Sequence, residues 1–163
     1  MSGLPERDGT GAAVAEVALA VTELPAGRVR CAVDGFGALG RGVAAALTAA
    51  GASVTAVSDA GGCAADPAGL DVTAMLATPP QRPVRAMHAG RASLPRRSVA
   101  ELPADILVLT AGPGGALDAP DVARCAVPVV VLGVPGSLTT AALRELAARR
   151  IRVVMIGVLA AAA

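Results

Sequence analysis

The sequence predicts a doubly wound α/β fold: a mainly parallel β-sheet with helices on both faces. Three observations predict it. Short apolar runs at Val29–Val33, Ser53–Val57, Asp105–Thr110, Val127–Leu132 and Ile151–Ile156 are near-continuous rather than alternating, as expected of strands buried on both faces. Segments of helical character separate them, the rhythm of a layered α/β domain. Glycine-rich turns, Gly35–Gly40, Gly112–Gly115 and Gly133–Gly136, follow the ends of three of these runs. Ligands of open α/β sheets bind outside those strand ends. One domain spanning residues 1–163 is expected, large enough to bury most of its unfolded surface.

The elements follow in order. A leading helix is expected over 11–23, where Val14, Val17, Ala18 and Val21 share one face. Pro25-Ala-Gly27 ends it. The first strand runs into Asp34, and the chain then turns through Gly35, Gly37 and Gly40 into a helix, Arg41–Ala50. A second strand, Ser53–Val57, leads to Asp59. Gly61-Gly62 and Asp66-Pro67 mark a loop before a short helix near Leu70–Leu76. Residues 78–98, rich in Pro and Arg, read as an irregular connection with one short strand, Val84–His88. Beyond it come a short helix near Val99–Leu102, the strand Asp105–Thr110, the helix Asp118–Cys125 and the strand Val127–Leu132. Ser137 is placed to cap a helix, Leu138–Arg149, and Ile151–Ile156 forms the last strand.

The stretch Val29-Arg-Cys-Ala-Val-Asp-Gly-Phe-Gly-Ala-Leu-Gly40 carries the strongest functional signal. Strand, glycine turn, helix, second strand and acid form the Rossmann-like dinucleotide-binding fingerprint in its required context. Gly35 permits the tight turn, Gly37 lets backbone approach a pyrophosphate, and Gly40 lets the helix pack against the strand. The helix N-terminus presents open backbone N–H groups and a positive dipole end to phosphate. Asp59 lies 19 positions past Gly40, near the spacing of about 20 for a carboxylate that accepts ribose hydroxyls.

Composition narrows the alternatives. The net charge is +1, which argues against a nucleic-acid partner held by electrostatics. Arg82, Arg85, Arg91, Arg96 and Arg97 cluster without interleaved aromatics and read as a solvated loop. Cys31, Cys63 and Cys125 form neither a disulfide framework nor a zinc pattern. Cys31 and Cys125 read as small buried hydrophobes. His88, with no ligand-spaced neighbour, reads as a surface or partly packed residue. No apolar run reaches the ~18–20 residues of a membrane span, and Glu6, Arg7 and Asp8 precede any apolar stretch. A soluble cytoplasmic protein with no membrane partner is expected. All 14 basic residues are arginine, so no lysine is present as general base, Schiff-base former or carboxylate anchor.

Four segments resemble the cofactor-binding domain of the glutamate/leucine/phenylalanine/valine dehydrogenase family. They are Thr10-Gly11 with Val14, Gly35-Phe-Gly-Ala-Leu-Gly-Arg-Gly-Val43, Val57-Ser-Asp-Ala-Gly-Gly62 continued by Asp66-Pro-Ala-Gly-Leu-Asp71, and Ala104-Asp-Ile-Leu-Val108. The resemblance runs from about Thr10 to Ala162. It implies a nicotinamide dinucleotide across the sheet edge, NAD in preference to NADP because Asp59 would repel a 2′-phosphate. By the same likeness, Thr10 would approach the nicotinamide carboxamide. Phe36, Gly37, Ala38 and Leu39 would offer backbone groups to the pyrophosphate, between Gly35 and Gly40. Ser58 and Asp59 would stand at the adenosine ribose, with Thr110, Ala111 and Gly112 along the floor.

The departures matter equally. The family has Asn where this chain has Ala38, a second Asn near Val134-Pro135, and a third in the segment matching Leu159–Ala162. Ala in place of Asn removes a donor and an acceptor. The separate substrate domain of the family, with its two lysines, has no counterpart in this sequence. The resemblance therefore implies a cofactor-binding, amino-acid-dehydrogenase-like domain, inactive by itself. Two alternatives stand beside it: half of an amino-acid dehydrogenase completed by another chain, and a non-enzymatic regulatory or interaction module on the same fold. The partners expected are a separate substrate-domain chain or a homo-oligomer.

Overall fold

The computed structural model describes residues 9–87 and 93–156. The chain begins with α1 (Gly9–Thr22) and passes through a 3-10 turn into β1 (Arg30–Asp34), α2 (Ala38–Ala49) and β2 (Ser53–Asp59). A hairpin partner, β3 (Gly62–Ala65), follows directly, then α3 (Val72–Leu76), α4 (Val84–Met87) and β4 (Ser93–Leu94). After a 3-10 turn at Arg96–Ala100 come β5 (Ile106–Leu109), α5 (Ala119–Val122), β6 (Val129–Leu132), α6 (Thr140–Ala148) and β7 (Arg152–Met155).

The seven strands form one sheet in the order β4-β3-β2-β1-β5-β6-β7. Strands β2, β1, β5, β6 and β7 are parallel, while β3 and β4 add an antiparallel edge. The chain winds outward from β1 in both directions, so β1 and β5 flank the topological switch point where such sheets open a ligand crevice. In register, Asp34 at the end of β1 lies between Ser58 of β2 and Leu109 of β5.

Successive strand residues feed opposite cores, as the two-residue period requires. Cys31, Val33, Ile106, Val108 and Val131 pack with Val14, Ala18, Val43 and Leu47 of α1 and α2. Ala32, Leu107, Leu109, Val130 and Leu132 pack on the other face with Val122, Ala142 and Leu146 of α5 and α6. The doubly covered sheet read from the sequence is the observed one. Helices α1 and α2 cross almost backbone to backbone: a Cβ on Gly11 would lie 2.7 Å from the Gly42 carbonyl carbon.

Several elements differ from the sequence reading. The loop expected after Gly61-Gly62 is strand β3, whose small residues Cys63 and Ala64 are buried. Val84–Met87, expected as a strand, is a helical turn, and Val84 N donates to the Asp59 carboxylate at 2.9 Å. The short helix expected near Val99–Leu102 comes earlier, as the 3-10 turn that ends at Ala100. Helix α5 is shorter than expected and is closed by a capping box between Asp118 and Asp121. The cap of α6 is Thr139, whose Oγ1 accepts from Ala142 N. Ser137 is instead buried, donating to the Val134 carbonyl. His88, Arg91 and the segment 159–162 lie outside the described residues. Among the described residues no helix is long and apolar enough to cross a membrane.

Candidate functional site

The glycine turn is built from backbone constraints. Gly35 has φ +96°, a left-handed conformation that favours glycine, and a Cβ there would lie 2.7 Å from Thr110 Oγ1. Gly35 N donates to the Ser58 carbonyl at 2.9 Å, which ties the turn to β2. The Thr110 hydroxyl ties it to β5, with the Asp34 and Gly35 carbonyl oxygens each 2.9 Å away. A Cβ on Gly40 would overlap the Gly35 carbonyl oxygen, so the helix starts in direct contact with the turn that precedes it.

Gly37 is different. It is the N-cap of α2, makes no side-chain cap bond, and a Cβ there would meet nothing within 4 Å. The first intrahelical bond closes from Arg41 N to Gly37 O at 2.9 Å. The N–H groups of Ala38, Leu39 and Gly40 therefore have no helical carbonyl one turn behind them. Open space beside an uncapped helix N-terminus fits an anionic group such as a pyrophosphate. Phe36 is buried, and the Arg41 guanidinium covers its ring at 5.1 Å. Arg41 Nη2 also donates to the Leu76 and Thr78 carbonyls, 2.7 and 3.0 Å away, at the end of α3.

A cavity of about 360 Å³ opens over this turn, in the size range of small-molecule sites. It gathers Gly35, Phe36, Gly37, Asp59, Thr110 and Ala111 from the sequence-read set, together with Ala60, Arg96, Gly114 and Gly115. Asp59 is half-buried, and its two oxygens accept from Gly61 N and Val84 N at 2.8 and 2.9 Å. Each carboxylate oxygen keeps further acceptor capacity, so the group suits a ribose diol.

Arg96 corrects the reading of its cluster as a solvated loop. Its Nε and Nη2 reach the two oxygens of buried Asp34 at 3.0 and 2.7 Å, and Nη2 also donates to the Gly115 carbonyl. The hydrogen bond to Asp34 holds the guanidinium above its ordinary range, against the opposing effect of burial. Arg97, by contrast, is largely exposed and pairs with Asp121 at 3.0 Å.

Six sequence-read residues do not line the cavity: Ala38, Leu39 and Gly40 in the first turn of α2, and Ser58, Gly112 and Thr10. Ser58 is fully buried, and its hydroxyl donates to Asp34 Oδ1 at 2.6 Å, so it braces the strand end instead of facing a ligand. Gly112 is buried at φ +69°, and its N–H is directed to Ser137 Oγ at 3.3 Å. Thr10 does not line the cavity. It stands one turn before Val14 on the same face of α1, and Val14 Cγ1 lies 3.4 Å from a Cβ built on Gly133, just past β6. The thiols are inert by environment: burial pushes those of Cys31 and Cys63 up to about 12, and that of Cys125 upward as well.

A family model described as Glutamate/Leucine/Phenylalanine/Valine dehydrogenase matches residues 3–162. The chain belongs to this dehydrogenase family. It is 32% identical over 153 residues to glutamate dehydrogenase B of Halobacterium salinarum, covering 93% of this chain and 35% of that protein. Among solved structures, the hetero-hexameric glutamate dehydrogenase of Thermus thermophilus in its Leu-bound form is 29% identical, with a TM-score of 0.73, covering 95% of this chain and 36% of that one. Plasmodium falciparum glutamate dehydrogenase superposes with a TM-score of 0.76 at 16% identity, over 91% of this chain and 35% of that one, a likeness of fold. The chain thus spans about a third of the length of the dehydrogenases it matches, and that third is their cofactor-binding part. Two positions read as departures from the dehydrogenase pattern lie close to the site. Ala38 is exposed in the first turn of α2, and Val134 follows the end of β6.

Proposed function

We propose that the chain binds a nicotinamide dinucleotide across the C-terminal ends of β1, β2 and β5, with NAD preferred to NADP. One observation carries the reading: Gly37 leaves an uncapped helix N-terminus open to the cavity, where neighbouring Gly35 and Gly40 are filled by protein contacts. Backbone N–H groups of Ala38, Leu39 and Gly40 would hold the pyrophosphate, and Asp59 would accept from the adenosine ribose. Thr110 and Ala111 would form the floor, and Thr10 would reach the nicotinamide end. When bound, the cofactor supplies a hydride acceptor or donor; the protein groups orient it.

The same domain performs no amino-acid oxidation alone in this proposal. Deamination chemistry needs a general base and an electrophilic partner at the amino-acid carbon. The chain has no lysine, and among the described residues the ionisable groups lining the cavity are Asp59 and Arg96, both already hydrogen-bonded within the protein. A second reading, a domain working with a separate substrate-binding chain or further copies of itself, is favoured by the hetero-hexameric relative and by the one-third coverage.

With neither tryptophan nor tyrosine in the chain, enhancement of NADH fluorescence on titration gives a direct assay. Saturable enhancement is expected, with no amino-acid-dependent NADH production. No saturation at millimolar NADH would defeat the binding claim; turnover by the isolated chain would defeat the claim of inactivity.

A further inference from the structure

We propose that the pairing of buried Asp34 with half-buried Arg96 preserves the NAD preference of this site, with Asp34 withholding the charge of Arg96 from a 2′-phosphate. This inference rests on the dinucleotide reading above and names the pairing that keeps Arg96 from reversing the preference Asp59 gives. An arginine beside the ribose acid is the arrangement that accommodates NADP in dinucleotide folds. Arg96 lies in the cavity wall with Asp59, so position alone would suggest a 2′-phosphate site. Its bonding argues the reverse.

Asp34 is fully buried immediately before the glycine turn and meets Arg96 face on, two nitrogens to two oxygens. Such bidentate geometry is the strongest form of this pairing. The Ser58 hydroxyl, donating to Asp34 Oδ1 at 2.6 Å, fixes the carboxylate from the β2 side. The Gly115 carbonyl takes a further bond from Arg96 Nη2. Asp59 faces the same cavity, and among the described residues its hydrogen bonds come from backbone N–H groups, while the Arg96 guanidinium whose field it also feels is already paired with Asp34. Arg82 and Arg85 are exposed and do not line the cavity. Among the described residues, Asp34, Asp59 and Arg96 leave the ribose end with net negative charge. It accepts hydroxyls and repels a phosphate, while Arg96 offers a planar, fixed wall to the adenosine.

Asp34→Asn tests this. The amide oxygen can still accept from Nε, but its NH2 opposes Nη2 donor to donor, and the partly exposed guanidinium is then free to turn into the cavity. Wild-type protein is expected to bind NADH more tightly than NADPH in fluorescence titrations. In Asp34→Asn the NADH-to-NADPH preference should move toward NADPH by about tenfold, the worth of one charge-assisted hydrogen bond. The double variant Asp34→Asn/Arg96→Met, which buries no unpaired charge, should return the ratio to within about threefold of wild type. If Asp34→Asn fails to fold, as read by circular dichroism, the double variant alone decides. Loss of the NADH preference in it would overturn the proposal, as would an unshifted ratio in folded Asp34→Asn or a wild-type preference for NADPH. Absence of saturable binding of either cofactor to wild type would instead overturn the dinucleotide reading itself, and this inference with it.

Discussion

The Thr110 hydroxyl, one residue past β5, lies 2.9 Å from the carbonyl oxygens of both Asp34 and Gly35. It thereby links two strands and holds the first step of the glycine turn.

Valine is close to threonine in shape and lacks the hydroxyl. Thr110→Val should destabilise the domain by about 1–2 kcal/mol and weaken NADH binding. Urea unfolding and fluorescence titration read the two effects separately; unchanged stability would show that the hydroxyl bonds are dispensable.

Two glycines of the turn should separate by what a methyl group meets. Gly35→Ala forces a positive φ on alanine and a contact with Thr110 Oγ1, so a loss of about 1–3 kcal/mol is expected. Gly37→Ala meets open space at an N-cap, where the cost is about 1 kcal/mol or less. Its methyl would occupy the approach of the pyrophosphate, so NADH affinity should fall by about tenfold or more while the thermal midpoint moves little. Equal binding by wild type and Gly37→Ala would remove the helix N-terminus from the site.

Arg41 ties the start of α2 to the end of α3. Arg41→Met keeps an alkyl stem near Phe36 but loses both bonds to the Leu76 and Thr78 carbonyls. A loss of about 1–2 kcal/mol is expected. Hydrogen exchange should accelerate first at the amides of Ala77 and Thr78, which close the end of α3. Uniform acceleration across the sheet would contradict this local role.

Alkaline pH should expose the thiols. In the folded chain those of Cys31 and Cys63 are pushed up to about 12 from 9.0 by burial, with Asp105 raising the first further and Asp34 and Asp59 the second. A raised folded value means that the folded state keeps protons the unfolded chain releases. The stabilisation is complete below pH 9 and is lost as pH rises toward 12, by about 1.4 kcal/mol per pH unit for each thiol. Lysine and tyrosine, the usual groups in this window, are absent from the sequence. Replacing Cys31 and Cys63 with alanine should therefore flatten most of the fall in urea midpoint between about pH 8.5 and 10.5. A fall of the same size in that variant would assign it to other groups.

The parallel strands are legible in the sequence because burial on both faces demands unbroken apolar runs, as in Ile106–Leu109 and Val129–Leu132. Strand β3 is not, because four small residues after Gly61 carry no strand signal of their own and gain their burial from β2 and β4. Val84 looks like a strand residue by type, yet it starts a helical turn whose first N–H is taken by Asp59. The glycine turn and Asp59 are local patterns and can be read directly. Arg96 cannot, since its partner lies 62 positions away. One signal points to it: an aspartate closing an apolar strand needs a partner if it is to be buried.

The contact between Gly11 and Gly42 couples the two helices mechanically. With no side chain between them, α1 has no cushion against α2. Any shift of α2 as its N-terminus closes on an anion would be transmitted to α1 as a rigid push, and Thr10 sits beside the point of contact. The two ends of a bound dinucleotide would then be linked through backbone rather than through any chain of side-chain contacts.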